Sequence, residues 1–392
     1  MFTLLRNARV FAPEPLGLRD VLLAGDRIAA IGGGLPSLPS VYAAREIDLG
    51  GRTLIPGLVD AHVHVTGGGG EAGPSSRVPP VSLSSLVSGG ITTCVGTLGT
   101  DGTTRSIEEL VARTLGLRSE GVSAYCYTGS YELPVRTLTG TVRRDIAFVD
   151  PILGVGELAI SDHRSSQPTL DELLRIAADA HVAGLMSGKA GFVHLHVGDG
   201  PRGLELVRRA LDTTELPPRT FHPTHVNRRR ALFDEAMELA ARGCSIDVTA
   251  FPVEDNDPGL SAADAIERFL GAGLPPERIT CSSDGAGCLP VFDGEGRITT
   301  MDVGRPAELA AALALLVRRG RALEDVLPVF TTNVARQLRL PRKGRIAVGA
   351  DADLVVLGAD GAVEDVIARG KLVFRGGIAV VLGPFESTKE RA

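Results

Sequence analysis

Histidines and one aspartate at the ends of predicted strands are the residues of this chain best suited to bind metal ions. His62 and His64 stand two residues apart, and alternate residues of a strand point to the same side, so both imidazoles can face one ion. Because two hydrogen-bonded core histidines would give the same pattern, the prediction depends on the later strands. Six of the eight histidines lie at such strand ends, and Asp284 ends another. Imidazoles and carboxylates suit Zn²⁺, Mn²⁺ and similar divalent ions.

The strands that must position these residues belong to a repeated strand–helix order in the middle of the chain. The predicted strands span residues 57–65, 92–99, 123–131, 154–161, 192–197, 220–225, 244–251 and 279–284. Helical patterns separate most of them, for example at 169–183, 202–211, 230–242 and 262–272. Eight strands with intervening helices predict an α/β fold with a (β/α)8 TIM-like barrel, in which chemistry lies at the C-terminal ends of the strands.

Both ends of the chain have a different pattern, with short apolar runs separated by turn residues. The predicted strands here are 2–10, 20–24, 27–31 and 45–49 at one end and 353–357, 363–368, 371–375 and 378–381 at the other. This arrangement predicts a small β-sandwich domain built from residues 1–56 and 342–392. The catalytic barrel, residues 57–341, is then inserted between its two halves.

Composition excludes several classes of function. Hydrophobic residues make up 44% of the 392 residues, the formal net charge is −6, and the only dense basic cluster is the arginine run at 228–230, so no nucleic-acid-binding face is expected. The five cysteines are scattered without a CxxC pair, which indicates a reducing compartment. The first residues lack a signal-peptide pattern, and no apolar run approaches the roughly 18 residues that span a bilayer. These features predict a soluble cytoplasmic protein without nucleic-acid or membrane partners.

Several segments carry a resemblance to a known family. They are residues 67–74, 98–101, 159–165, 223–228 and 282–285. The pattern of strand-end histidines with Asp284, and the tail at 343–356, are similar to the amidohydrolase superfamily. The whole set resembles its isoaspartyl dipeptidase (β-aspartyl peptidase) family over nearly the full chain. This resemblance implies a binuclear metallopeptidase, assembled as a homo-oligomer and possibly an octamer.

The resemblance also implies a ligand set for two divalent ions, with zinc expected. The ligands are His62, His64 and Asp284 for the more buried ion and His196 and His225 for the other. His194 is the alternative on the same strand as His196, and the family motif His-x-Gly-Asp selects His196. The histidines expected to have no metal role are His163, His181 and His222.

An anion must bridge the two ions, and many relatives use a carboxylated lysine on strand four. The corresponding position of this chain is Glu157, whose carboxylate supplies the same two oxygens without CO₂. We therefore predict that Glu157 bridges the ions. Lys189, the only lysine within the predicted barrel, lies just before strand five and is the poorer candidate.

The implied reaction is attack of a metal-bridging hydroxide on the β-aspartyl amide carbon of a dipeptide. Asp284 is the expected general base and acid, and Tyr131 matches the family tyrosine that stabilises the oxyanion. The residues expected to bind substrate are Gly69, Glu71, Thr100, Tyr131, Arg164, Arg228 and Cys288. Among them, Glu71 matches the acid for the substrate amine, and Arg164 and Arg228 match the arginines for carboxylate, which guanidinium binds in a fork.

One position departs from the family pattern. Four residues after Asp284, where serine is expected, this chain has Cys288, whose thiol is larger and a weaker hydrogen-bond partner. The departure leaves open another amidohydrolase activity: a cyclic amidase, an N-acyl amino acid deacylase or a deaminase. A non-catalytic assembly protein with the same fold is a third hypothesis, against which the complete ligand set argues.

Overall fold

The computed structural model describes residues 2–253 and 258–386. Its strands are β1 Phe2–Phe11, β2 Pro15–Ala24, β3 Arg27–Gly32, β4 Arg45–Asp48, β5 Thr53–Pro56, β6 Leu58–Val63, β7 Ile91–Gly96, β8 Ser123–Thr128, β9 Ile152–Ile160, β10 Val193–Val197, β11 Phe221–Thr224, β12 Ile246–Thr249, β13 Ile279–Ser282, β14 Cys288–Phe292, β15 Ile298–Val303, β16 Leu354–Leu357, β17 Val363–Ala368, β18 Lys371–Arg375 and β19 Ile378–Ala379. Its α-helices are α1 Leu83–Ser88, α2 Ile107–Glu120, α3 Val142–Phe148, α4 Leu170–Ser187, α5 Glu205–Thr213, α6 Arg230–Ala241, α7 Ala262–Gly271, α8 Ala307–Arg318, α9 Leu323–Phe330 and α10 Thr332–Gln337.

The middle of the chain forms two parallel sheets. Strands β6 to β11 make a six-stranded sheet in chain order, and β12 pairs with β13. Each predicted barrel strand overlaps an observed one, although most observed strands are shorter. The alternation of strands and helices is therefore confirmed. The single eight-stranded barrel is not, because the hydrogen-bonded sheet contains six of the strands.

The separation of β12 from β11 has a local cause. The Asn227 side chain, which follows β11, donates to the Thr249 carbonyl at 3.0 Å and accepts from the Thr249 N–H at 2.8 Å. It thereby occupies backbone groups that a strand ladder would use. At the other side, Val63 of β6 pairs with Gly285 after β13, and the His64 N–H donates to the Gly285 carbonyl at 2.8 Å. The pair of strands thus contacts both ends of the six-stranded sheet.

Alternation along β10 shows how these strands position histidines. Val193, Leu195 and Val197 belong to the large apolar core between the strands and the surrounding helices. His194 and His196 point to the other side, because successive side chains of a strand lie on opposite faces. The apolar residues therefore fix the strand, and the histidines face the interior that the parallel strands share.

Helix α4 illustrates how the outer layer begins and ends. Thr169 and Glu172 form a capping box at its start, and Gly188, with φ of +71°, ends it in the left-handed conformation. The helix therefore continues past the predicted end at residue 183. Its buried side, which includes Leu173 and Ala177, packs against the core.

The two ends of the chain meet in one β-rich part. They form a nine-stranded sheet in the order β19-β18-β17-β16-β5-β1-β2-β3, with β4 beside β1. Antiparallel pairing of β5 with β16 joins the N-terminal to the C-terminal strands. The ends therefore form one continuous hydrogen-bonded sheet, and the β-sandwich domain stays a prediction. A separate apolar cluster that includes Leu5, Val21 and Leu354 forms its core.

A hairpin that the sequence pattern did not predict follows β13. Strands β14 and β15 pair antiparallel and lead into α8, and their side chains are partly or largely exposed. No helix in residues 2–253 and 258–386 is long and apolar enough to cross a membrane. Within the same residues all five cysteines are free thiols.

Candidate metal centre

Four ligand atoms converge where β6, β9 and the end of β13 meet. The Nε2 atom of His62 lies 3.4 Å from each of His64 Nε2, Glu157 Oε1 and Asp284 Oδ1. His64 Nε2 lies 3.4 Å from Glu157 Oε1 and 3.1 Å from Asp284 Oδ1. A tetrahedral ion with ligands at roughly 2.0–2.1 Å separates those ligands by about 3.3 Å. The spacing of these atoms therefore fits one small divalent cation, and we call this group the closed half-site.

A second group lies on the other oxygen of the same glutamate. Glu157 Oε2 is 3.3 Å from His196 Nδ1 and 3.6 Å from His225 Nε2. Neither Glu157 Oε2 nor Asp284 Oδ1 has a hydrogen-bond partner within the described residues, although both are buried. We call His196, His225 and Glu157 Oε2 the open half-site, because it offers three ligand atoms. One carboxylate thus faces both groups, as a bridging ligand must.

Lys189, the alternative bridge, is placed elsewhere. Its ammonium group donates to the carbonyls of Val149 at 2.7 Å and Ile152 at 3.1 Å, which lie at the N-terminal side of β9. Glu157 lies further along the same strand, where it contacts the histidines. The geometry therefore separates Lys189 from the metal-binding atoms.

The electrostatics of the centre favour positive charge. Glu157 is buried, which by itself raises its pKa, but His62 and the neighbouring imidazoles outweigh burial and hold the pKa of Glu157 well below its usual value. Burial likewise opposes protonation of His62, yet Glu157 and Asp284 raise the pKa of His62 to about 9. Buried carboxylates need a compensating charge, and divalent cations would supply it. The donor set thus fits the metal ions that the sequence predicts.

An unusual backbone conformation orients two of the candidate ligands. His225 and Asp284 adopt left-handed conformations, with φ of +61° and +51°. Such non-glycine conformations cost energy and often occur at functional sites. Position 99 must also be glycine, because a Cβ atom there would lie only 2.7 Å from Cε1 of His64. The strand ends are therefore shaped around the imidazoles.

Each histidine of the open half-site is oriented by a second hydrogen bond. His225 Nδ1 lies 2.7 Å from Thr249 Oγ1, and His196 Nε2 lies 2.9 Å from Asp162 Oδ2. Partners of this kind fix which ring nitrogen remains free for a metal. Asp162 stands within the family-like segment 159–165, but its role was not predicted, because a motif does not show which oxygen meets which ring.

Tyr131 lies beside the open half-site. Its hydroxyl is 2.6 Å from His196 Nδ1, and burial raises its pKa well above the usual value, so the phenol keeps its proton. The Arg164 guanidinium lies 5.5 Å from the Tyr131 ring centroid. A protonated hydroxyl at this place can donate to a developing oxyanion.

The predicted acid and one predicted arginine meet at the rim of the centre. Arg164 Nη1 lies 3.3 Å from Glu71 Oε1, and Thr100 donates to the same oxygen at 2.9 Å. Arg164 Nη2 donates to Asp162 Oδ2 at 2.8 Å, which connects the rim to the His196 partner. Glu71 Oε2 is buried and has no hydrogen-bond partner within the described residues. The rim therefore presents an acceptor and a guanidinium side by side.

Arg228 lies on the turn after His225 and is less tightly held. It pairs with Asp199 at 3.5 Å, and its buried Nε atom has no hydrogen-bond partner in the described part of the chain. No direct contact joins Arg228 to Glu71 or Arg164 among the hydrogen bonds and ion pairs of the described residues. The structure therefore brings the predicted pair together only in part.

Gly69 and Cys288 meet at the glycine-rich loop. Gly69 has φ of +75°, and a Cβ atom there would lie 3.5 Å from the Cys288 Cβ atom. Burial raises the pKa of the Cys288 thiol to about 11, so the thiol keeps its proton at neutral pH.

Arg105 is a residue of this site that the sequence pattern did not identify. Its buried guanidinium donates to the carbonyls of Gly68 at 2.9 Å and Gly69 at 3.2 Å, and it pairs with Asp101 at 3.2 Å. It therefore holds the loop that carries Gly69. The spacing of Asp101 and Arg105 on a loop gave no periodic signal that would have shown this contact.

The remaining histidines offer no nitrogen to either group of converging ligand atoms. His163 is largely exposed and packs edge-on against Phe292 of the β14–β15 hairpin, with ring centroids 4.6 Å apart. His181 lies on α4. His194 and His222 are fully buried, and His194 Nε2 faces Nδ1 of His62 at 2.8 Å, away from the ligand nitrogen.

Comparisons with known proteins agree with this geometry. The Amidohydrolase family model matches residues 53–373. A β-aspartyl dipeptidase from Fervidobacterium islandicum AW-1 is 43% identical in its complex with the β-Asp-Leu dipeptide, with a TM-score of 0.92, covering 98% of this chain and 100% of that one. A second structure from this organism is 41% identical with a TM-score of 0.89 and the same coverage. An allantoinase from Streptomyces avermitilis is 28% identical over 91% of this chain and 86% of its own length. The chain therefore belongs to the amidohydrolase family and, within it, to the β-aspartyl dipeptidase group.

Proposed function

We propose that this chain is a binuclear metallopeptidase that hydrolyses the β-aspartyl (isoaspartyl) amide bond of dipeptides. The observation that carries the proposal is the Glu71–Arg164 pair at 3.3 Å, set beside two metal half-sites that share Glu157. A β-aspartyl dipeptide carries one ammonium and two carboxylate groups, so its recognition needs charges of both signs close to the scissile amide. The 43% identity to a β-aspartyl dipeptidase supports the same substrate class.

Two divalent cations, of which zinc is the expected metal, would complete the site. His62, His64, Asp284 and Glu157 would hold one, and His196, His225 and Glu157 would hold the other. Such a pair lowers the pKa of a bridging water and polarises the scissile carbonyl. The imidazole and carboxylate ligands agree with zinc, and also with manganese.

The protein groups divide the remaining work. The ionised Asp284 carboxylate, whose pKa falls to about 2 because the nearby His64 and His62 outweigh burial, takes a proton from the water nucleophile and passes it to the leaving amine. The Tyr131 hydroxyl donates to the oxyanion of the tetrahedral intermediate. Both residues are buried, which keeps bulk water away from these transfers.

Substrate recognition follows from the rim. Glu71, with one oxygen free of partners, binds the substrate ammonium, and Arg164 binds a carboxylate in place of its present contact with Glu71. Arg228 binds the second carboxylate. Gly69, Thr100 and Cys288 line the place of the aspartyl α-carboxylate, so the thiol alters this part of the pocket relative to a serine.

A hydrolysis panel tests the proposal. Purified protein loaded with Zn²⁺ or Mn²⁺ is given β-Asp-Leu, α-Asp-Leu, an N-acyl amino acid and a dihydropyrimidine, with Glu157→Gln as the inactive control. We expect cleavage of β-Asp-Leu alone. Cleavage of α-Asp-Leu at an equal rate would refute the isoaspartyl assignment, and turnover of the other two compounds would favour another amidohydrolase activity. Absence of both bound metal and activity after metal addition would favour a non-catalytic protein.

The larger organisation is also a proposal. We infer that the two parallel sheets act as one (β/α)8 barrel at residues 57–341, with 1–56 and 342–392 as a separate β domain; Met1, residues 254–257 and residues 387–392 lie outside the described part. Lys343 supports a firm contact between the two, since it bonds Ser123 of β8 at 2.6 Å and Asp353 at 2.5 Å. We further propose a cytoplasmic homo-oligomer, which light scattering coupled to size-exclusion chromatography would test as an octamer.

A further inference from the structure

A row of imidazoles lies behind the closed half-site and takes no part in the proposed reaction. His62 Nδ1 lies 2.8 Å from His194 Nε2, and His194 Nδ1 lies 3.0 Å from His222 Nδ1. His222 Nε2 continues the row to Thr280 Oγ1 at 3.2 Å. All four side chains are fully buried. The row crosses the interior from β6 to β10, β11 and β13.

The row ends on a buried carboxylate. Thr280 donates to Asp247 Oδ1 at 2.6 Å, and the hydroxyls of Thr224 and Ser282 donate to Asp247 Oδ2 at 2.7 Å and 2.5 Å. A carboxylate that receives three hydroxyl donors is a pure acceptor. Asp247 therefore fixes the direction of every hydrogen bond that leads to it.

Hydrogen-bond direction determines the tautomer of each ring. A neutral imidazole has one N–H donor and one acceptor nitrogen. Since Asp247 accepts from Thr280, the Thr280 oxygen can accept from His222 Nε2–H, which leaves His222 Nδ1 as an acceptor. His194 then donates from Nδ1 and accepts at Nε2, so His62 must donate from Nδ1. The lone pair of His62 is left on Nε2, the nitrogen that faces Glu157 and Asp284.

The interior of such a barrel is ordinarily filled with branched apolar residues. Buried polar groups are costly unless they are paired, and here His194 and His222 use both ring nitrogens. By contrast, His64 Nδ1 is buried without a hydrogen-bond partner within the described residues. The row thus hydrogen-bonds to one histidine of the closed half-site, His62, and not to the other, His64.

We propose that His194 and His222 are positioning residues that, with Thr280 and Asp247, set the tautomer and ring plane of His62 for metal binding. This inference rests on the proposed metal centre. We call this hydrogen-bonded row, from His194 to Asp247, the relay. It also joins the six-stranded sheet to the β12–β13 pair, because His222 and Thr224 belong to β11 whereas Thr280 and Asp247 belong to β13 and β12. Positioning of the ligand and closure of the interior are therefore coupled.

The test compares two substitutions in one neighbourhood. His222→Leu removes the relay without touching a proposed ligand. Phe192→Leu is the matched control, because its ring lies 5.4 Å from His222 and contributes packing but no hydrogen bond. Zinc affinity is measured by chelator competition on the metal-free proteins, the Co²⁺-loaded forms are compared by visible absorption, and thermal unfolding is recorded without metal.

We expect His222→Leu to weaken the tighter zinc site by about 10–100-fold, the size found when outer partners of metal ligands are removed, and to change the Co²⁺ spectrum. Phe192→Leu should leave both unchanged at comparable thermal stability. His222→Gln, whose amide accepts and donates at similar places, should restore much of the affinity. If His222→Leu does not fold, the nearly isosteric Thr280→Val cuts the relay one step later, with a smaller loss expected.

Unchanged zinc affinity in His222→Leu or Thr280→Val, or an equal loss in Phe192→Leu, would overturn the relay. The unsubstituted protein separates this failure from that of the proposed function. If it binds two ions and cleaves β-Asp-Leu while the relay variants bind zinc normally, only the relay is wrong. If it binds no divalent ion, the metal centre and the function are wrong.

Discussion

The two half-sites of the metal centre differ in how completely the protein surrounds them. The closed half-site has four protein ligand atoms at 3.1–3.4 Å spacing in every measured pair. The open half-site has three, and the Tyr131 hydroxyl and Arg164 lie beside it. Structural metal sites are filled by protein, whereas catalytic sites keep a position free for water or substrate. This difference supports the proposal that the first group holds an ion and that the second leaves room for the substrate carbonyl.

The hydrogen-bond partners behind the histidines also differ between the two half-sites. His62 of the closed half-site is backed by neutral imidazoles, whereas His196 of the open half-site is backed by the Asp162 carboxylate. Burial raises the pKa of Asp162, but His196 and Arg164 outweigh burial and hold this pKa well below its usual value. Asp162 contacts both His196 and Arg164, so a proposed metal ligand and a proposed substrate-binding residue share one partner on the open side. The closed side has no such connection to the rim within the described residues.

The largest effect should come from the one residue that both half-sites share. Glu157→Gln keeps the shape of the side chain but removes its charge and one of its acceptor oxygens. We expect loss of the bridging interaction, metal content well below two ions per chain and no measurable cleavage of β-Asp-Leu. Metal analysis and activity are measured together, with Glu215→Gln, at an exposed position, as the control. Two tightly bound ions in Glu157→Gln would contradict the shared-carboxylate arrangement.

Asp284→Asn should reduce the rate of the reaction more than it reduces metal binding at the closed half-site. His62, His64 and Glu157 remain, so one ion should still bind, but the proton acceptor is lost. A general base contributes about 10²–10⁴-fold, and we expect kcat to fall within that range. Single-turnover kinetics at saturating Zn²⁺ measures it. A normal kcat would assign the proton transfer to another group.

Tyr131→Phe tests the open half-site alone. Loss of one oxyanion donor costs about 10²–10³-fold in kcat, and KM should change little because the ring is retained. Metal content should stay at two ions, because the hydroxyl is not among the proposed ligands. A large rise in KM with normal kcat would instead make Tyr131 a ground-state contact.

Arg164→Lys distinguishes the rim from the metal centre. Lysine keeps the positive charge but lacks the forked guanidinium, which can bind a substrate carboxylate and Asp162 at the same time. The loss of a hydrogen bond to a charged group is about 1.5–3 kcal/mol, which lowers kcat/KM by roughly 10–150-fold. Activity on β-Asp-Leu and zinc content are compared with those of Arg136→Lys, whose arginine is exposed. Loss of zinc in Arg164→Lys would show that the rim and the open half-site are not separable.

Sequence alone predicted the strands well and placed the converging histidines at their ends, because period-two spacing and strand ends follow from local residue order. It could not separate His194 from His196 without the family motif, since both face one side of β10. The structure separates them by depth: His196 reaches Glu157, while His194 lies behind His62. Depth along a strand depends on how neighbouring strands are staggered, and that is a tertiary property.

Loop-borne parts of the site were harder to predict for a related reason. Arg105 acts on the carbonyls of the 66–69 segment, and Phe292 lies 5.3 Å from the Arg164 guanidinium. Both reach the site through segments that lack hydrophobic periodicity. In the terminal sheet, short apolar runs predicted most strands, but they could not predict the pairing of β5 with β16, which lie almost 300 residues apart in the chain.

The smallest effect concerns the rim position where this chain departs from its family. Cys288→Ser restores a hydroxyl beside Gly69, and a hydroxyl is the better hydrogen-bond partner for a carboxylate. Since one neutral hydrogen bond contributes about 0.5–1.5 kcal/mol, KM for β-Asp-Leu should fall by roughly 2–12-fold while kcat stays nearly constant. Cys288→Ala serves as the matched variant without a donor and should not lower KM. A hundredfold loss of activity in Cys288→Ser, with metal content intact, would mean that the thiol itself takes part in the reaction, and that the closed and open half-sites do not account for the chemistry alone.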